Sequence, residues 1–194
     1  MKRLLSTASN WKLIVPFFIL FCLATFVVFP AYHQKMVTAA GKEFQILDTR
    51  FSYSITDVRT LFNDLGTEGR QLYRFVVGRV DMIYPVIYGT LMVLVLAFLI
   101  RKMTKPDSSA ILIALLPLAG ALFDYLENFN TLSLLSAFPD LAIESVTTGE
   151  KMTQLKQGIL FLSLGLIIVL TVILGIRKLR NRNSHRQEQL NLPI

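Results

Sequence analysis

Asp124, Glu127 and Asn128 stand three and four residues apart in "ALFDYLENFN" (121–130), inside an otherwise apolar stretch. That spacing puts all three on one face of a helix. Asp81, in "RFVVGRVDMIYPVIYG" (74–89), opens a second apolar stretch, and His33 lies just past the end of a third. Carboxylates with a histidine can serve three ends. They can lock helices together, paired with Arg70, Arg74 or Arg79 and with Tyr73, Tyr84 and Tyr88. They can form a binding site for a lipid, an ion or a partner protein in an outward-facing cleft. They can also act as acid and base, or ligate a hard or borderline cation. No HExxH or CxxC spacing accompanies them, so no metal or cofactor is assigned. There is no GxSxG and no P-loop, and "GTEGR" lacks the strand and third glycine of a dinucleotide fingerprint. The candidate set is therefore Asp81, Asp124, Glu127, Asn128, His33, Arg70, Arg74, Tyr84 and Tyr88.

The elements that must position these residues are apolar helices. The chain is 53% hydrophobic and 17% charged, too little charge for a soluble domain of this size. The apolar residues fall in four runs, at 13–30, 82–100, 110–123 and 158–176. Three have the roughly 20 residues that a bilayer core demands. The third reaches that length only if Asp124, Glu127 and Asn128 lie within the same span. The first run is too long for a signal peptide and has no cleavage site directly after it, so it reads as a retained anchor holding the single cysteine, Cys22. The expected fold is an all-α membrane protein, a four-helix transmembrane bundle with a partly helical outer loop.

The net charge of +7 is explained by where the basic residues sit. Lys2, Arg3 and Lys12 precede the first run, Arg101, Lys102 and Lys105 follow the second, and Arg177, Lys178, Arg180, Arg182 and Arg186 follow the fourth. These three segments share one side of a four-span protein. The positive-inside rule then places both termini in the cytoplasm of a multi-pass cell-membrane protein. A bacterial inner membrane is the simplest setting, because the outer loops carry neither disulfides nor a glycosylation sequon. No nucleic-acid partner is expected; the bilayer is, with a lipid or other membrane subunits. The reading divides the chain into a cytoplasmic N-terminus (1–12), TM1 (13–30), an outer segment (31–80), TM2 (81–100), a cytoplasmic turn (101–108), TM3 (109–129), an outer loop (130–157), TM4 (158–176) and a basic tail (177–194).

The outer segment carries its own pattern. Phe44, Ile46, Phe51, Tyr53 and Ile55 alternate about "DTR", which predicts a short β-hairpin or extended pair. Val58, Leu61, Phe62 and Leu65 then follow the period of an amphipathic helix, capped by Ser54 or Thr56 and ended by Gly66. A further helix, capped by Thr67, is expected to run straight into TM2, with Arg70, Arg74, Gly78, Asp81, Pro85 and Tyr88 along one stripe. Pro85 has no N–H, so the Asp81 carbonyl should be left free at the outer interface. Asp107 or Ser108 should cap TM3. Gly158 and Gly165 share a face of TM4 and predict close helix approach there.

Counting from the turn at 101–108 gives about 30 Å to Asp81 and about 22 Å from Ser109 to Asp124. Asp81 then lies at the outer boundary and Asp124 slightly deeper, so the two can meet, with His33 at the same level. An arginine from 70, 74 or 79 is expected to cap the cluster.

Two cytoplasmic termini and a longer first outer loop resemble the layout of claudin-type proteins. Their paired cysteines and Trp motif are absent from this loop, as is the cysteine-rich second loop of tetraspanins, and the chain is assigned to neither. The leading functional expectation is an accessory or scaffolding membrane protein acting through its outer loops. The alternative is a small lipid- or ion-binding protein, or an intramembrane enzyme using the carboxylates.

Overall fold

The computed structural model describes residues 5, 7, 10–105 and 108–190, with side chains as far as residue 180. Lys2, Arg3, Pro106 and Asp107, and the side chains of Arg182, His185 and Arg186, lie outside the described residues. Four helices are long and apolar enough to cross a bilayer, which supports a multi-pass membrane placement. They are α1 (Trp11–Ala40), α3 (Tyr84–Met103), α4 (Ser109–Ala137) and α5 (Ile143–Leu190); α2 (Ile55–Phe75) is a shorter amphipathic helix at one end.

Proline and glycine shape these helices. Asn10 caps α1 by accepting from the Lys12 and Leu13 amides at 3.0 and 3.3 Å, and Gly41, at φ 69°, ends it in the left-handed conformation. The stretch Ala24–Val28 widens to a π-turn just before Pro30, whose missing N–H breaks the regular ladder. Ser108 caps α4, which starts as a 3₁₀ segment, Ser109–Leu115, and becomes an α-helix at Leu116–Pro117.

The segment between α1 and α3 folds as a cap over one end of the bundle. No β-strand occurs among the described residues. The expected hairpin is instead extended chain with a single 3₁₀ turn, Leu47–Thr49. Its backbone is satisfied by other elements rather than by a second strand. The Leu47 amide donates to Tyr73 Oη at 3.2 Å, and Gln157 Nε2 donates to the carbonyls of Asp48 and Arg50 at 3.2 and 3.1 Å. Helix α2 begins with a reciprocal capping box between Ser54 and Asp57. The Ser54 hydroxyl and then its backbone N–H hold the Asp57 carboxyl below its ordinary range. Val58, Leu61, Phe62 and Leu65 are all buried in the cap core with Met36, Leu47, Tyr73 and Leu134. Gly66, at φ 59° and ψ −169°, kinks the helix there, and the chain resumes helical turns through Phe75.

The chain does not run straight from α2 into α3. A π-turn at Val76–Val80 and a turn at 81–83 come between them, closed by the Asp81 amide on the Val76 carbonyl at 2.8 Å. The expected single stripe from Arg70 to Tyr88 is broken at this point. In the bundle, α4 packs along α5, α3 packs against α1, α4 and α5, and α1 leans on α2. Helix α1 hardly touches α5. Close approach of α4 and α5 depends on Gly120 and Gly149: a β-carbon at Gly120 would lie 2.8 Å from Leu160 Cδ2, and one at Gly149 2.2 Å from Asn130 Nδ2. Gly158 and Gly165, expected to supply that contact, face open space.

Candidate functional site

Helix α4 brings Asp124, Glu127 and Asn128 inward together, at 3%, 1% and 2% exposure. Desolvation forbids a lipid-facing carboxylate, so each must find partners inside. The partner of the first two is Lys156 of α5, itself only 7% exposed. Its ammonium lies 3.3 Å from Asp124 Oδ1 and forms an ion pair with Glu127 Oε2. Tyr88 of α3 donates to Asp124 Oδ2 at 2.8 Å. Thr153 donates to Glu127 Oε1 at 2.6 Å. Tyr53 Oη is 3.5 Å from Thr153 Oγ1. Because the threonine hydroxyl has one proton, committed to Glu127, Tyr53 is left to donate. Burial pushes the Tyr53 phenol up to about 12, so it keeps that proton at neutral pH.

Pro85 leaves the Asp81 carbonyl without an intrahelical donor, and Asn128 supplies one: its Nδ2 donates there at 3.3 Å. The neighbouring Met82 carbonyl receives the Tyr125 hydroxyl at 2.8 Å. The carboxylate of Asp81 is treated differently. The residue is only 6% exposed, and among the described residues its carboxylate has no hydrogen-bond or ion-pair partner. Asp48, in the cap, also presents an unpartnered buried oxygen, Oδ1. Burial raises the Asp48 carboxyl above its ordinary value, partly offset by Lys156 and reinforced by Asp124.

These groups line one end of a cavity of about 970 Å³ between α1, α3 and α5. At the charged end are Asp48, Asp81, Asp124, Lys156, His33, Tyr84 and Tyr88. Beyond them the walls are apolar, with Phe18 and Phe21 from α1, Met92 and Val95 from α3, and Leu164 and Ile167 from α5. Phe18 and Phe161 on the rim are 54% and 66% exposed, so the cavity opens outward between α1 and α5. Comparison with family models, with curated proteins and with solved structures gives no match for this chain.

The structure thus brings Asp81, Asp124, His33, Tyr84 and Tyr88 to one cavity, with Glu127 and Asn128 immediately behind it. His33 Nε2 lies 3.2 Å from the Phe44 carbonyl; a carbonyl only accepts, so this nitrogen carries a proton. Tyr84 reaches Thr25 of α1 at 2.9 Å. The arginines expected to cap the cluster do not. Arg70 donates to the Phe62 carbonyl at 2.7 Å and stacks over Phe138, Arg74 donates to Ser136 Oγ at 2.9 Å, and Arg79 is exposed. The cap residues 55–75 turn these side chains away from the bundle axis, and Lys156 takes their place. Reading 130–157 as a loop hid it. Gly149, Thr153, Lys156 and Leu160 follow helical spacing, and that stripe was the available signal. Among the described residues no group of three or more His, Cys, Asp or Glu side chains is placed to hold a metal ion.

Proposed function

We propose that this protein binds a membrane amphiphile, with its tail in the cleft between α1, α3 and α5 and its polar head at the cap end. The observation that carries this reading is the shape and lining of the cavity: about 970 Å³, apolar along most of its length and charged at one end only. That volume is at the top of the range of about 300–1,000 Å³ typical of small-molecule sites. Helix α1 flanks the cleft without packing on α5, which leaves a lateral opening at the depth where acyl chains lie. In this reading the cap end is the outer face and both termini are cytoplasmic, in keeping with Arg101, Lys102, Lys105, Arg177, Lys178 and Arg180 at the opposite end. An accessory role draws on the exposed apolar faces of α1 and α5, which lipid covers as well as a partner helix does.

The test is native mass spectrometry of protein extracted in mild detergent. Wild type should retain one amphiphile per chain. Val95→Trp, which fills the cleft, should lose it, while Leu122→Trp on the exposed face of α4 should keep it. Equal retention by both variants, or none by wild type, contradicts the reading.

A further inference from the structure

We propose that the head group taken at the cap end is an ammonium cation, with Asp81 as its counter-ion; this rests on the amphiphile reading above. The charges at that end do not balance. Four carboxylates, Asp48, Asp81, Asp124 and Glu127, surround one ammonium, Lys156. Lys156 is already committed to Asp124 and Glu127. An anionic head would find no lysine or arginine other than Lys156 among the described residues lining that end, and would meet Asp81 and Asp48 as like charges. A neutral hydroxyl head could donate one hydrogen bond to Asp81 but would leave its charge without a counter-ion.

Asp81 supplies the independent pointer. It lines the cavity, it is 6% exposed, and among the described residues nothing pairs with its carboxylate. A buried carboxylate in that state is costly, whereas the same group against a bound ammonium makes a charge-assisted hydrogen bond. The Asp81 backbone carbonyl is meanwhile taken by Asn128, so the amide of Asn128 is engaged with the backbone rather than with the Asp81 carboxylate. Asp48, also a lining residue, adds negative charge from the cap side, although its unpartnered Oδ1 is itself shielded from the cavity. An ammonium head with an alkyl tail satisfies both ends of the cleft at once.

That chemistry is shared by an aminophospholipid of the bilayer and by a free long-chain amine. Full-length protein in maltoside micelles is offered an equimolar mixture of hexadecylamine, hexadecanol and hexadecanoate, and retained ligand is quantified by native mass spectrometry. Hexadecylamine should exceed each competitor by tenfold or more. Asp81→Asn should reduce that preference to about twofold, and Asp81→Glu should restore most of it. Thermal melting of each variant checks folding, and Asp48→Asn gives a second, smaller loss of preference should Asp81→Asn fail to fold. Retention of the alcohol or the acid at the amine's level overturns the cation assignment and leaves the amphiphile reading standing. Retention of none of the three, with no co-purified lipid, overturns both. A parallel set in nanodiscs of phosphatidylethanolamine or of phosphatidylglycerol identifies the source. Lipid carried out of the first alone marks a bilayer aminolipid, and capture of added amine alone marks a free one.

Discussion

The α4–α5 seam and the α1–α5 gap flank the same carboxylates, and they treat them in opposite ways. On the seam, Gly120 and Gly149 draw the helices together, and Lys156, Thr153, Tyr88 and Tyr53 satisfy Asp124 and Glu127. Across the gap, α1 keeps its distance, Asp81 lines the cavity with its carboxylate unpaired among the described residues, and Asp48 Oδ1 lies unpartnered behind the wall. Each missing partner of a buried polar group costs about 1–3 kcal/mol, and the seam, where Asn130 Nδ2 also goes unpartnered, still pairs both of its carboxylates. The contrast therefore separates two roles within one cluster. The seam packs the bundle together, and in the proposed reading the gap is the place of the amphiphile.

The strongest way to break this comparison is Lys156→Met. It removes the counter-ion of two buried carboxylates, and loss of one partner of a buried pair costs about 3–5 kcal/mol. Reversible unfolding in detergent should show a loss of that size. A change below about 1 kcal/mol would move Asp124 and Glu127 off the list of structural pairs.

The glycines sharpen the same contrast at smaller scale. Gly149→Ala forces a β-carbon against Asn130 and Tyr53 and should cost about 1–3 kcal/mol, moderated by whatever movement the Asn130 amide allows. Gly158→Ala meets nothing within 4 Å and should gain up to about 1 kcal/mol from helix propensity. Equal effects at the two positions would remove the distinction between seam and gap.

The smallest effect concerns Asp48, on the open side. Burial raises its folded-state value above the ordinary 3.8, so folding favours the protonated form. The sign follows: wild-type stability declines as pH rises from about the ordinary value through the folded one. Asp48→Asn should therefore raise the melting temperature of ligand-free protein slightly at pH 7, and the gain should vanish as pH falls below 3.8. A variant that melts lower than wild type at pH 7 would show that Lys156 outweighs burial at this position.

Much of the architecture was legible in the sequence, because helix period and span length are local properties. The four long apolar helices, the buried face of α2, the Ser54 cap and the Asp81 carbonyl's missing intrahelical donor all follow from neighbours within one or two turns. Asp81 and Asp124 line one cavity, in keeping with the similar heights counted along the second and third apolar runs. What failed depended on contacts distant in sequence. The extended segment around Leu47 pairs with Tyr73 and Gln157 rather than with itself, so alternation alone suggested a hairpin that does not form. Lys156 lies in a charged stretch that resembles a solvated loop, and only the length of α5 carries it into the bundle. The π-turn at Val76–Val80 redirects Arg70 and Arg74, and no local pattern announced it.

The most direct measurement is a crystal structure of the full chain grown from a lipidic mesophase. It should show continuous acyl-chain density between Phe18, Val95 and Leu164, ending in a head group within hydrogen-bond distance of Asp81. A structure in which α1 has closed onto α5, with protein side chains or ordered water alone filling the cleft, would contradict the account.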